Sequence, residues 1–231
     1  MITEESFLDF KCPHCEETVS FPHTDAGFAR ACPNCTETVV VPEDGSDLGG
    51  KLPLPIVTPR LHLRRFAPGD WKDLLEFMTD EELFRYVGGG PMEEDDLLRW
   101  LEAEVNVKLT TPEQMFYLGL VLKEEGKLIG YIGLRFADPL QAGLIIVLSR
   151  GYQGKGFAAE AVQGLLEFCF KGIKLHRLTA RIDSRNTAAA KLFEHVGMRR
   201  EGEFVKDTPT PEGWCSSAWY ALREEEFLRK T

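Results

Sequence analysis

Arg150-Gly151-Tyr152-Gln153-Gly154-Lys155-Gly156-Phe157-Ala158 decides how this chain is read, because it joins an apolar run to an amphipathic one through a turn of small residues. Glycine admits backbone conformations closed to other residues and lets a ligand approach the main chain, so Gly154 and Gly156 are expected to leave N–H groups uncovered. A helix starting just after them would add its positive dipole end, and together these features favour phosphate oxygens. Lys155 adds a point charge.

On the N-terminal side, Leu144-Ile145-Ile146-Val147-Leu148 is unbroken and apolar, the pattern of a strand covered on both faces of a sheet. On the C-terminal side, Ala158, Ala161, Val162, Leu165, Phe168 and Cys169 fall on one helical stripe. Strand, turn and helix form one unit. Two familiar phosphate motifs do not fit it: a Walker loop needs Ser or Thr where Gly156 stands, and a dinucleotide fingerprint needs glycine where Ala159 stands.

Gln153, Gly156 and Ala158 do fit Gln-x-x-Gly-x-Ala, which resembles the acyl-CoA diphosphate loop of the GCN5-related N-acetyltransferases, the GNAT family. The surroundings extend the resemblance. Leu61-His62-Leu63-Arg64-Arg65-Phe66 looks like the family's first strand, followed by a helix opening at Pro68-Gly69-Asp70-Trp71. His176 to Ile182 alternates as a strand, Asn186-Thr187-Ala188-Ala189 caps a helix carrying Ala189, Leu192, Phe193 and Val196 on one face, and Gly197 ends it. The order is similar to that of the ribosomal-protein N-terminal acetyltransferase branch, from about Thr58 to Phe227.

The resemblance implies an α+β fold, a mixed central sheet flanked by helices. Further elements are expected as helices at 69–79 and 93–109, a hairpin from 115 to 135 turning at Glu124-Glu125-Gly126, and strands at 142–149, 177–183, 198–205 and 216–223. Gly88 to Pro91 should interrupt the helical region, and Pro209 to Gly213 reads either as a loop over the acceptor or as a hairpin turn.

It also implies direct transfer of an acetyl group from acetyl-CoA, the co-substrate, to a primary amine on a protein N-terminus or a small molecule. Main-chain groups of Val147 and Leu148 would pair with the pantetheine arm, and Gln153, Gly154, Lys155, Gly156, Phe157, Ala158 and Ala159 would hold the diphosphate. Asn186 matches the family asparagine near pantetheine, as well as serving as a helix cap. Acceptor walls are expected at Phe84-Arg85-Tyr86 and Val205-Lys206-Asp207.

For proton transfer the chain departs from its relatives: Gly143 stands where many have glutamate, Phe193 where others have tyrosine, and Ala189 where the branch has serine. Tyr220 and Ser149 are the substitute candidates, each with a plainer reading as a core tyrosine and a turn residue. His176 reads as structural. With these losses the alternative function is an acyl-CoA-binding sensor with weak or no transferase activity.

Six cysteines complete the reading. Cys12-Pro13-His14-Cys15 and Cys32-Pro33-Asn34-Cys35 have zinc-ribbon spacing, each pair a knuckle offering two thiolates to a closed tetrahedral structural zinc site. His14, inside a knuckle, is not counted as a ligand. Disulfides compete, but the N-terminus Met1-Ile2-Thr3-Glu4-Glu5 lacks the basic start of a signal peptide, and such pairs in a cytoplasmic chain bind metal more often. A four-thiolate set leaves no open position, which argues against a zinc-dependent enzyme.

The domains expected are a ribbon over 1–41, a linker over 42–57 rich in Pro, Gly and acidic residues, and an acyltransferase over 58–231. At 231 residues and 43% hydrophobic, the chain can bury one good core and an appendage, and no apolar run approaches the roughly 20 residues that span a bilayer. A cytoplasmic protein without membrane contact is expected. The net charge of −10 argues against a nucleic-acid binder. Through Val57 three basic residues face ten acidic ones, so the ribbon reads either as a docking face for a protein surface, a basic one by charge, or as a plain structural appendage.

Overall fold

The computed structural model describes residues 7–22, 25, 29–41, 54–88, 90–106, 115–138, 140–210 and 213–229. The N-terminal part is two antiparallel hairpins, β1 (Phe7–Lys11) with β2 (Thr18–Pro22) and β3 (Ala29–Ala31) with β4 (Thr38–Val40). Each hairpin turns through a cysteine knuckle of the same form. Cys12 N–H donates to Glu17 O at 2.9 Å and Cys32 N–H to Glu37 O at 2.8 Å, while Glu16 and Thr36 both take left-handed backbone at φ 61° and 63°. Val19, Phe21, Val39 and Val41 pack with Cys12 and Cys32 as a small core.

The rest is one eight-stranded sheet. Its strands are β5 (Ile56–Val57), β6 (Leu61–Arg64), β7 (Met115–Leu122), β8 (Leu128–Asp138), β9 (Gln141–Leu148), β10 (Arg177–Asp183), β11 (Arg199–Thr210) and β12 (Gly213–Arg223). They lie in the order β11-β12-β10-β9-β8-β7-β6-β5, and the β9–β10 pair is parallel while its neighbours are antiparallel. Ile56 and Val57, within the expected linker, form the edge strand by pairing with Leu63 and His62.

Helices cover both faces. On one lie α1 (Trp71–Met78), α2 (Glu81–Phe84) and α3 (Glu94–Asn106); Leu74, Phe77, Leu97 and Leu101 pack there with Val121, Tyr131 and Val147. On the other lie α4 (Phe157–Glu167), which runs into a π turn at Phe168–Gly172, and α5 (Thr187–His195). There Ala161, Val162, Leu165 and Phe193 meet Leu118, Leu144 and Leu148. This explains the unbroken run in β9: Leu144, Ile146 and Leu148 face one layer and Val147 the other. The buried Leu165 alone contributes about 1.5–3 kcal/mol of transfer free energy.

Several elements differ from expectation. The first strand of the last hairpin runs to Thr210 and the second begins at Gly213, pairing Pro209 with Trp214 and Thr210 with Gly213, so the described ends of the expected 209–213 loop are strand, and 211 and 212 lie outside the described residues. The expected 93–109 helix is described to Asn106. Strand β5, the one-turn α2, the π turn and a closing helix α6 (Glu224–Leu228) were not expected. Each is short, so hydrophobic periodicity has too few residues to register it.

Candidate active site

The central feature is a ladder that parts. β9 pairs with β10 only from Gln141↔Arg177 to Leu144↔Ala180. Beyond that, Ile145–Leu148 stay with β8 and Arg181–Asp183 stay with β12. The two strands diverge, and a cleft of about 1110 Å³ opens between them. Leu144 to Ile146 form one wall, Arg181 to Asp183 another, and the segment Glu81–Gly88 closes one side.

β9 leads directly into the glycine turn. Ser149 N–H closes the strand on Ile129 O at 2.8 Å, and a single 3₁₀ turn over Arg150–Tyr152 follows. Gly154 and Gly156 both take left-handed backbone, φ 72° and 82°, as the sequence required of them. The first bond of α4 is Glu160 N–H to Gly156 O at 3.0 Å. The N–H groups of residues 154 to 159 therefore have no backbone acceptor among the described residues. Gln153 differs: its N–H donates to Arg150 O at 3.2 Å and its side-chain amide to Leu148 O at 2.9 Å. It braces the turn rather than offering its main chain. Lys155 Nζ lies 5.4 Å from the Tyr152 ring centroid.

Of the other expected site residues, Asn186 lines the cleft and caps α5, its Oδ1 accepting from Ala189 N–H at 3.0 Å. Val147 and Leu148 are buried, on the strand just past the cleft lining. Tyr220 and Ser149 do not line the cleft. The Tyr220 side chain is in the core against Phe193, with its hydroxyl 3.4 Å from Glu194 Oε1. Burial and the neighbouring Glu194 charge push that phenol up, so it stays protonated. Ser149 serves as the turn residue, its carbonyl accepting from Tyr152 N–H at 2.9 Å.

The two segments expected as acceptor walls differ in where they lie. Phe84, Arg85 and Tyr86 line the cleft, whereas Val205 to Asp207 do not; Thr208 to Thr210 take that place because the hairpin runs longer than expected. Ala189 and Phe193 also line it, so two positions where the resemblance implies polar groups are apolar walls here. Among the lining carboxylates, Asp183 pairs with Arg185 at 2.7 Å and Glu82 with Arg85 at 3.5 Å. The Arg185 hydrogen bond holds the Asp183 carboxyl below its usual range despite burial, making it a poor base. Glu81 has no ion pair among the described residues.

Sequence similarity decides what this cleft belongs to. A family profile described as "Acetyltransferase (GNAT) domain" matches residues 60–199. The chain belongs to the GNAT acetyltransferase family. This acetyltransferase is 33% identical over 173 residues to a Bacillus subtilis protein named uncharacterized N-acetyltransferase YnaD, covering 74% of this chain and 98% of that one. It is similar, with TM-score 0.67 and 30% identity, to a solved GNAT-family acetyltransferase from Bacillus anthracis, covering 73% of this chain and 98% of the other. At 20% identity it shares the fold of a spermidine N-acetyltransferase from Vibrio cholerae solved with CoA and spermine, TM-score 0.63, over 73% of this chain and 98% of that one. The transferase is thus an N-acetyltransferase enzyme. Among its described residues no helix is long and apolar enough to cross a membrane.

A second cluster lies outside the matched region. The sulfurs of Cys12, Cys15, Cys32 and Cys35 all lie within 4.8 Å of one another, with Cys12–Cys35 at 3.8 Å and Cys15–Cys32 at 3.9 Å. Four thiolates placed tetrahedrally about 2.3 Å from a zinc ion stand roughly 3.8 Å apart. The residues fit that ion. Disulfide sulfurs would be about 2.05 Å apart, and all four cysteines are free thiols.

Proposed function

We propose that this enzyme moves the acetyl group of acetyl-CoA to a primary amine, on a protein N-terminus or a small molecule, by direct attack within a ternary complex. The amine lone pair attacks the thioester carbonyl, the C–S bond breaks, the CoA thiolate takes up a proton, and the new amide nitrogen gives one up. The observation that carries this reading is the parted β9–β10 ladder running straight into a turn whose main-chain amides are uncommitted. Amides from Gly154 to Ala159, at the positive end of α4, are arranged to hold the diphosphate. Main-chain groups beside the gap, around Val147 and Leu148, would meet the pantetheine arm, although the Leu148 carbonyl already accepts from Gln153 Nε2. The amide NH₂ of Asn186, which makes no hydrogen bond among the described residues, faces the same cleft. The neighbour solved with CoA and spermine supports both co-substrate and an amine acceptor.

Positioning carries most of the rate in this scheme, consistent with the absence of an acid or base at Gly143, Ala189 and Phe193; a lost general catalyst slows such a reaction by about 10²–10⁴. Glu81, the lining carboxylate without an ion pair among the described residues, draws the cationic amine to the cleft. We assign the enzyme to the ribosomal-protein N-terminal acetyltransferase branch on its element order. CoA release measured against peptides with free N-termini, polyamines and small amines tests the proposal. Turnover on at least one class is expected, and tight acetyl-CoA binding without turnover on any would contradict it.

For the N-terminal hairpins we propose a structural zinc held by Cys12, Cys15, Cys32 and Cys35. A closed thiolate set holds the two knuckles together and leaves no position for substrate. The acidic ribbon then offers a docking face for a basic protein surface.

A further inference from the structure

Arg60 lies far from the glycine turn in sequence and against it in space. Its Nε donates to Glu160 Oε2 at 2.6 Å, its Nη1 to the Lys155 carbonyl at 3.1 Å, and its guanidinium sits 4.2 Å from the Phe157 ring centroid. Glu160 is itself fixed, accepting from Thr58 Oγ1 and Arg60 N–H, both at 2.6 Å. The third guanidinium nitrogen, Nη2, has no acceptor among the described residues, and a Cβ built on Gly156 would lie 3.4 Å from it. The fork is thus held on two edges while the remaining one faces the left-handed glycine that opens α4. Its side chain stays 45% exposed, so a ligand can reach it.

From this we infer that Arg60 is a phosphate-contacting residue of the acetyl-CoA site, presented by Glu160 and Thr58 so that Nη2 donates to a phosphate oxygen of the co-substrate. The inference rests on the reading of the glycine turn as the diphosphate site and adds to it a cation from the first strand pair. Three contacts fix the guanidinium before ligand arrives, so little side-chain freedom is lost on binding. A charge-assisted bond of this kind is strong enough to be read directly in affinity.

Acetyl-CoA and S-acetylpantetheine, which lacks every phosphate, separate a role at the phosphates from a general loss of structure. Arg60→Gln and Arg60→Ala should each raise the KM for acetyl-CoA about 10- to 100-fold with little change in kcat, while the kinetics with S-acetylpantetheine stay as in the wild type. Arg60→Lys, which keeps the charge but loses the fork, should recover part of the affinity. Equal losses with both donors, or an unchanged KM for acetyl-CoA, would overturn the role of Arg60. A wild-type enzyme that prefers acetyl-CoA no more than S-acetylpantetheine would instead overturn the phosphate site as a whole. Arg60→Gln retains a donor for Glu160 and keeps the test usable if Arg60→Ala does not fold.

Discussion

Arg150 Nε donates to Asp80 Oδ2 at 2.5 Å, joining the first residue of the 3₁₀ turn after β9 to the cap of the short helix on the facing wall. Asp80 Oδ1 meanwhile accepts from Glu82 and Leu83 N–H at 3.1 and 3.3 Å. One carboxylate therefore ties the glycine turn to the Glu81–Phe84 segment, which lines the facing wall of the cleft. Arg150→Ala should raise the KM of both substrates several-fold while barely moving the melting temperature, because an exposed ion pair contributes only about 0–1 kcal/mol. Asp80→Ala also removes the cap, about 1 kcal/mol, and should be the more destabilising of the two. Steady-state kinetics with thermal melts check both; unchanged KM values in Arg150→Ala would show that the two walls are not coupled.

Gly130 on β8 is pressed against β9. A Cβ there would lie 2.3 Å from the Val147 carbonyl oxygen and 3.0 Å from Leu148 Cα, both backbone atoms. Gly130→Ala should lower stability by about 1–3 kcal/mol and weaken acetyl-CoA binding as β9 is displaced. Chemical denaturation beside calorimetry would expose an error here if both quantities stayed at wild-type values.

Glu104 on α3 gives a pH signature. Burial pushes its carboxyl up to about 7, and the Arg65 charge offsets this only in part. With the folded value above the ordinary 4.5, the folded state holds the proton more tightly than the unfolded chain, so the contribution of Glu104 to stability is fully present below about pH 4.5 and is lost as pH rises through about 7. Glu104→Gln should therefore be neutral to slightly costly at pH 5 and stabilising at pH 8. Denaturation midpoints at the two pH values test the sign, and a variant less stable at pH 8 would refute the assignment.

The glycine turn was legible because its chemistry is local: an apolar strand, two glycines and a helical stripe lie within one stretch of chain. The cysteine knuckles were legible for the same reason. Tyr220 was open to misreading because a tyrosine on an alternating strand serves either face; its partners Phe193 and Glu194 are fixed only by the packing of α5. The β11–β12 hairpin was underestimated because Arg199–Thr210 is polar and largely exposed, so its extent is set by pairing with β12 rather than by hydrophobic alternation. The Arg60–Glu160 contact joins residues 100 positions apart and leaves no trace in spacing.

Removal of metal separates the two parts of the chain. A zinc chelator applied to the intact protein should release one zinc ion and unfold the hairpins around Cys12, Cys15, Cys32 and Cys35, while acetyl-CoA turnover persists. Metal analysis with circular dichroism and a CoA-release assay reads all three. Loss of turnover with the large sheet still folded would show that the metal serves catalysis.

The most direct test of the account is calorimetric titration of acetyl-CoA into the metal-loaded wild type and Gly156→Ala. The uncommitted amides depend on left-handed backbone at Gly156, φ 82°, where a side chain adds about 1–2 kcal/mol of strain. The account predicts one-to-one binding by the wild type and affinity at least roughly tenfold weaker in the variant. No heat with the wild type, or equal affinity in both proteins, would contradict it.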